Sequence, residues 1–169
     1  MSLVVLLGGA RSGKSALATA LGGRRATLIA TATADDDEMA ARIERHRAER
    51  SATWTTVEEP LALGDALAAA DGGETLVVDC LSLWVSNLLE AGWADDAVEA
   101  EARRVALEAA RRPGLTVAVS NEVGLGVVPA TPLGRRYRDV LGRVNAIWAA
   151  EAERALLVVA GRTLELDRV

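Results

Sequence analysis

The chain has 169 residues, half of them hydrophobic and a quarter charged, with a formal net charge of −5. That length suits one domain, and that composition excludes a disordered chain. The acidic balance and the scarcity of aromatics (four Trp, one Tyr, no Phe) argue against a nucleic-acid surface, so no nucleic-acid partner is expected.

Three residue counts narrow the setting. The one cysteine, Cys80, cannot form an internal disulfide, which fits a reducing compartment. The single lysine, Lys14, stands among 18 arginines. A lysine kept in so arginine-biased a chain points to a place that needs a compact ammonium. The only histidine is His46.

The first predicted element is a strand over Leu3–Leu7. Leu3–Ala10 has no Lys or Arg ahead of it and runs straight into Arg11 and Lys14, so it reads as buried strand rather than signal peptide. The longest apolar runs fall far below the roughly 18 residues of a membrane span. No membrane span is expected, and the expected location is the cytoplasm.

Gly8-Gly9-Ala10-Arg11-Ser12-Gly13-Lys14-Ser15 follows that strand and matches G-x-x-x-x-G-K-[ST]. Glycines let the backbone wrap so that its N–H groups face phosphate oxygens. A helix predicted over 14–21 adds its positive N-terminus. Lys14 reaches the β- and γ-phosphates of a nucleotide, and the Ser15 hydroxyl suits Mg²⁺. The competing reading is a glycine turn that matches by chance.

A second strand is predicted at Leu28–Ala30 and a helix over 36–50, opened by Asp35-Asp36-Asp37-Glu38 as the helix dipole favours. Met39, Ile43, His46 and Arg50 share a stripe of that helix. His46 is either an ordinary residue of that stripe or a general base or nucleophile facing a nucleotide. The flanking Arg45, Arg47 and Arg50 are either a solvated basic face or holders of phosphate charge. Spacing leaves both open.

A helix over 60–70 starts at Pro60. The strand Leu76–Val78 ends in Asp79, placed to hold Mg²⁺ directly or through water. A helix over 95–111 opens on Asp95-Asp96 and stops before Pro113-Gly114. Val117–Val119 is the next strand. Asn121, Glu122, Gly124 and Gly126 follow it, as ligand contacts or as a plain glycine turn. The helix over 133–153 is the clearest, with Leu133, Tyr137, Val140, Leu141, Val144, Ile147 and Trp148 on one face. Arg135, Arg136, Arg138 and Arg143 fit its polar side. Strand Leu156–Val159 turns at Gly161-Arg162 into a hairpin with 163–166.

Short apolar strands alternating with helices predict an α/β fold, with a mostly parallel central sheet covered by helices and a short C-terminal hairpin. Residues 1–169 read as a single NTP-binding domain. The edge at the strands' carboxyl ends is the expected ligand crevice.

At this point the chain resembles a known family, the bifunctional adenosylcobinamide kinase/adenosylcobinamide-phosphate guanylyltransferases of cobalamin biosynthesis. Besides the loop at 8–15, the shared stretches are Ile29-Ala-Thr31, Asp37-Glu-Met-Ala-Ala-Arg-Ile43 with His46, and Trp54 with Thr56 and Glu58. Further ones are Val78-Asp-Cys-Leu81 with Ser86-Asn87-Leu88, Ser120-Asn-Glu-Val-Gly-Leu-Gly126 with Val128-Pro129, and Arg138-Asp139 with Gly142-Arg143 and Asn145. The loop alone is widely shared. The histidine-bearing and Asn-Glu-Val-Gly-x-Gly stretches are far more specific.

The resemblance implies a RecA-like P-loop fold, a homotrimer and two reactions. In the first, ATP or GTP phosphorylates adenosylcobinamide. In the second, the histidine matching His46 takes GMP from GTP and passes it to adenosylcobinamide phosphate. Implied nucleotide contacts are the loop, Thr31, Ala32 and Thr33, then Arg47, Ala48, Glu49 and Arg50, with Glu58 and Asp79. The chain has Asp79 where some members have Glu, and Arg45-His46 where some have two histidines. The stretch 130–134 is less typical.

The rival reading is a P-loop small-molecule kinase without guanylyl transfer. A regulatory GTPase would read guanine with Asn-Lys-x-Asp, which a chain whose sole lysine is Lys14 cannot contain.

Overall fold

The computed structural model describes residues 3–33 and 53–168. The helix expected over 36–50, with His46, Arg47, Ala48, Glu49 and Arg50, lies outside the described residues.

The chain opens with β1 (Leu3–Gly8), in which all six residues are buried. Then come α1 (Lys14–Gly22), β2 (Thr27–Ala30), β3 (Thr55–Glu58) and α2 (Leu63–Ala69). They are followed by β4 (Leu76–Asp79), α3 (Leu81–Glu90), α4 (Asp95–Arg111) and β5 (Thr116–Asn121). The last elements are α5 (Pro132–Glu151), β6 (Arg154–Val159) and β7 (Arg162–Glu165).

The seven strands form one sheet in the order β3-β2-β4-β5-β1-β6-β7. Every pairing is parallel except β6 with β7, which is antiparallel. This is the expected fold class, hairpin included.

Alternation along β1 divides the core. Leu3, Val5 and Leu7 face a large cluster built with α2, α3, α4 and α5, including the buried Trp84 and Trp148. Val4 and Leu6 face a smaller cluster with Ala18 of α1, joined by Leu17, Leu21 and Trp54. Successive strand side chains point to opposite faces, so a strand buried on both sides must be apolar throughout. Each fully buried Leu or Val contributes roughly 1.5–3 kcal/mol, which is why the central strands were the easiest to read.

Local chemistry sets the ends of the helices. α4 carries Asp95 and Asp96 in its first turn. α5 is capped by the Thr131 hydroxyl, which accepts from the Gly134 N–H at 3.1 Å. α5 is fixed to α4 by Arg136 on Asp95 at 2.7 Å and by Arg143 on Asp95 at 3.4 Å. Arg138 instead pairs with Asp139, and Arg135 donates to the Pro129 and Ala130 carbonyls.

Four expectations need correcting. The helix read from Pro60 begins at Leu63, because the Glu59 carboxylate accepts from the N–H groups of Leu61 and Ala62 and holds those residues in a turn. Leu133 is 63% exposed rather than part of the buried face, since it sits in the first turn of α5 before the helix reaches the core. The strand β3 and the helix α3 were not foreseen. β3 is a short, polar, mostly exposed edge. α3 starts one residue after β4, and its nearly continuous apolar run hides a helical period.

Candidate functional site

The pairings β1–β5, β5–β4, β4–β2 and β2–β3 all run parallel, so the carboxyl ends of β1, β2, β3, β4 and β5 share one edge of the sheet. The phosphate loop leaves β1 at that edge. Gly8 (φ 156) approaches β6 so closely that a Cβ there would sit 2.3 Å from the Val158 carbonyl oxygen. Gly13 (φ 107) is the left-handed N-cap of α1, and Arg11 also has a positive φ of 56. Turns of this kind line up successive N–H groups as an anion nest. The first turn of α1 carries no acidic residue, unlike that of α4, so its dipole meets no competing carboxylate of its own helix.

Lys14 is buried, and its ammonium lies inside the loop. It donates to the Gly8 carbonyl at 2.8 Å, the Gly9 carbonyl at 2.6 Å and the Ser12 hydroxyl at 3.4 Å. Gly8, Gly9, Ala10, Arg11, Ser12, Gly13, Lys14 and Ser15 therefore come together as one cradle. The loop is also tied to β5, because the Glu122 N–H donates to the Gly8 carbonyl at 3.1 Å.

Asp79 ends β4 on the same edge, two strands from β1 and so about 10 Å away laterally. Thr31 holds the chain there. Its hydroxyl accepts from the Cys80 N–H at 2.9 Å and donates to the Cys80 carbonyl at 2.7 Å. Its own N–H donates to the Asp79 carbonyl at 3.1 Å, and its carbonyl accepts from Asn87 at 2.8 Å. Thr31 is fully buried. The structure thus gives its side chain a bracing part between β2 and the β4–α3 junction. Ala32 and Thr33 follow it, half-buried, along the edge.

Glu58 ends the edge strand β3, level with Ala30 of β2. Four strand steps of about 4.8 Å separate β3 from β1, on the order of 19 Å. The expected contacts among the described residues therefore spread along the edge, with the loop after β1 at one side, Glu58 of β3 at the other, and Asp79 with Thr31–Thr33 between them, joined by the bond from the Thr31 N–H to the Asp79 carbonyl.

A polar network backs the edge. Asn121 donates to the Ser82 hydroxyl at 3.1 Å, and Tyr137 donates to the Ser82 carbonyl at 3.1 Å. Ser120 donates to Asn145 at 2.6 Å, and Asn145 donates to the Asn121 carbonyl at 3.1 Å. The Cys80 sulfur lies 2.9 Å from the Ser82 hydroxyl. Burial, and then the neighbouring Asp79 charge, push the Cys80 thiol above its ordinary pKa. Burial likewise pushes Tyr137 up to about 12.

The family described as "Cobinamide kinase / cobinamide phosphate guanyltransferase" matches residues 4–166. The chain belongs to that cobinamide kinase/guanyltransferase family. A "Bifunctional adenosylcobalamin biosynthesis protein CobP" of Pseudomonas aeruginosa is 47% identical over 168 residues, covering 96% of this chain and 95% of that protein. A "Bifunctional adenosylcobalamin biosynthesis protein CobU" of Escherichia coli is 40% identical, covering 94% of this chain and 96% of that protein. Among solved structures, the P4 protein from bacteriophage phi6 in complex with ADP matches with a TM-score of 0.49 and 16% identity, over 96% of this chain and 54% of that one.

In this cobinamide kinase/guanyltransferase chain, the donor set at the edge fits a hard cation. Ser15 offers a hydroxyl beside the loop, and Asp79 a carboxylate across from it. Such oxygen donors suit Mg²⁺ bound through one or two protein ligands together with phosphates. Among the described residues no group of three His, Cys, Asp or Glu forms a metal site of its own.

Sequence reasoning passed over Ser82 and reached Thr31 only through the family resemblance, as a nucleotide contact rather than a brace. Ser82 and Asn87 sit on α3, which was not foreseen, although Asn87 did stand among the shared stretches. No spacing rule marks a threonine whose partner is a backbone 49 residues away.

Proposed function

We propose that the protein is a bifunctional cobinamide kinase and cobinamide-phosphate guanylyltransferase, with both reactions served by residues 1–169 as one domain. The observation that carries this reading is a full-length family match laid over a built phosphate cradle with Lys14 at its centre.

In the kinase step, the hydroxyl of adenosylcobinamide's aminopropanol arm attacks the γ-phosphorus of ATP or GTP; a new O–P bond forms, the bond from that phosphorus to the β–γ bridging oxygen breaks, and ADP or GDP and the hydroxyl proton leave. The loop N–H groups and Lys14 hold the phosphates, and charge placement supplies most of the catalysis. Ser15 and Asp79 would hold a Mg²⁺, which would supply positive charge against the developing charge on the phosphates. In the second step, a neutral imidazole nitrogen of His46 attacks the α-phosphorus of GTP. An N–P bond forms and the P–O bond to pyrophosphate breaks. The phosphate of adenosylcobinamide phosphate then attacks the same phosphorus, freeing His46 and giving adenosylcobinamide-GDP. Near pH 7 most of an ordinary histidine is neutral and nucleophilic. Arg47, Ala48, Glu49, Arg50, Thr31, Ala32, Thr33 and Glu58 form the remainder of the proposed nucleotide contacts.

The reading makes the protein a cytoplasmic homotrimer. Among the described residues no helix is long and apolar enough to cross a membrane. A mass measurement in solution tests the trimer.

The deciding experiment is incubation with α-labelled GTP and Mg²⁺, followed by denaturation. Label is expected to stay on the wild-type chain and to vanish in His46→Ala. Kinase activity on adenosylcobinamide without any retained label would leave the small-molecule kinase as the correct reading.

A further inference from the structure

The C-terminal hairpin raises a question that the fold does not answer. All four residues of β7 are exposed, so the strand adds little to either core cluster. Its turn nevertheless touches the phosphate loop, where Gly8, Arg11 and Gly13 all have positive φ. Val159 pairs with Arg162, leaving Ala160 (φ 51) and Gly161 (φ 73) as the two central residues. Two left-handed centres define the tight hairpin turn that matches the twist of the flanking strands.

In that turn the Gly161 N–H is not needed by the hairpin ladder. It donates to the Ser12 carbonyl of the phosphate loop at 2.8 Å. Gly161 also lies directly against Gly13: a Cβ on Gly13 would sit 3.3 Å from the Gly161 Cα. Val158, two residues before the turn, crowds Gly8 from the same side. The hairpin thus contacts the loop at its first glycine, at Ser12 and at its last glycine.

The consequence follows from peptide geometry. The unit joining Ser12 to Gly13 is planar and trans, so its C=O and N–H point in opposite directions. Fixing the Ser12 carbonyl on the Gly161 N–H turns the Gly13 N–H the other way, into the cradle. That donor stands at the start of α1, where an anion meets the helix. Without the tether the unit is free to rotate about its flanking bonds, and glycine at 13 offers little resistance to rotation.

We propose that Gly161 is a positioning residue for triphosphate binding: the β6–β7 turn holds the Ser12–Gly13 peptide with its N–H facing the phosphates. The inference rests on reading the loop as the nucleotide site.

The test compares three variants by titration with GTP in the presence of Mg²⁺, with melting temperature recorded for each. Gly161→Asn keeps both the left-handed backbone and the N–H. Gly161→Val disfavours that backbone and swings the N–H away. Arg154→Ala removes the ion pair with Glu165, made by two hydrogen bonds of 2.9 Å each, and so loosens the same hairpin without touching the turn. Gly161→Val is expected to raise the Kd for GTP about tenfold, the scale of one well-placed hydrogen bond. Gly161→Asn and Arg154→Ala are expected to stay within about twofold of wild type. A Kd for Gly161→Val equal to wild type, or an equal rise in Arg154→Ala, overturns the proposal. Should Gly161→Val fail to fold, amide exchange on the unaltered protein decides. Saturating GTP is expected to slow exchange at Gly161, since coupling between sites is reciprocal, and unchanged exchange overturns it. If the wild-type chain binds no GTP at all, it is the nucleotide-site reading that fails.

Discussion

The Lys14 ammonium donates to the carbonyl oxygen of Gly8, six residues earlier in the chain, at 2.8 Å. The loop therefore closes on its own lysine. Gly9 and Ser12 complete a ring of acceptors between 2.6 and 3.4 Å. A compact head with three rotatable donors fits that ring, and a planar guanidinium does not. This accounts for one lysine surviving among 18 arginines.

Lys14→Ala is expected to lower kcat/KM for both kinase and guanylyl transfer by at least about 100-fold, the scale of a lost electrostatic donor at a reacting phosphate. Lys14→Arg is expected not to restore either activity. Steady-state assays of the two reactions check this, and wild-type rates in Lys14→Arg would show that the compact shape is irrelevant.

His46→Ala is expected to abolish guanylyl transfer and leave appreciable kinase activity, because only the second reaction needs a nucleophile on the protein. Parallel assays of a folded variant decide. Equal loss of both activities would assign the histidine to binding or structure instead.

Legibility followed physical cause in this chain. β1, β4 and β5 are buried on both faces, and their apolar runs announced them. The phosphate loop was readable because anion binding by backbone needs glycines at fixed intervals, here Gly8 and Gly13. Glu58 and Thr31 reached attention only through family resemblance. Glu58 ends an exposed polar strand with no periodicity to notice. Thr31 works through Cys80, and the brace exists only because β2 and β4 are neighbours in space. The Gly161 tether was equally hidden. A glycine after a strand signals a turn, yet nothing in spacing says that its N–H reaches Ser12.

Thr31 supplies a stability prediction. Thr31→Val keeps the shape but leaves the buried Cys80 N–H without its acceptor. The expected cost is about 1–3 kcal/mol. Thr31→Ser keeps the hydroxyl and loses one methyl group, roughly 1 kcal/mol. Urea unfolding midpoints check the order. A Thr31→Val protein as stable as wild type would show that the hydrogen bonds to Cys80 contribute nothing.

Tyr137 supplies a pH prediction that can be read without assay. It is the only tyrosine, so phenolate absorbance reports a single group. Burial, and then the nearby Cys80, push its pKa up to about 12 from an ordinary 10. The folded state therefore holds the proton more tightly than the unfolded chain. Between pH 10 and 12 the native protein binds more protons, so stability falls as pH rises. The contribution is fully present below pH 10 and is lost by about pH 12, with an upper bound of ~2 kcal/mol given the partial exposure of the ring. Absorbance titration of the native protein is expected to show a midpoint near 12, and urea midpoints are expected to fall through the same window. In Tyr137→Phe this part of the pH dependence disappears. A native midpoint near 10 would mean that the phenol is not buried as described.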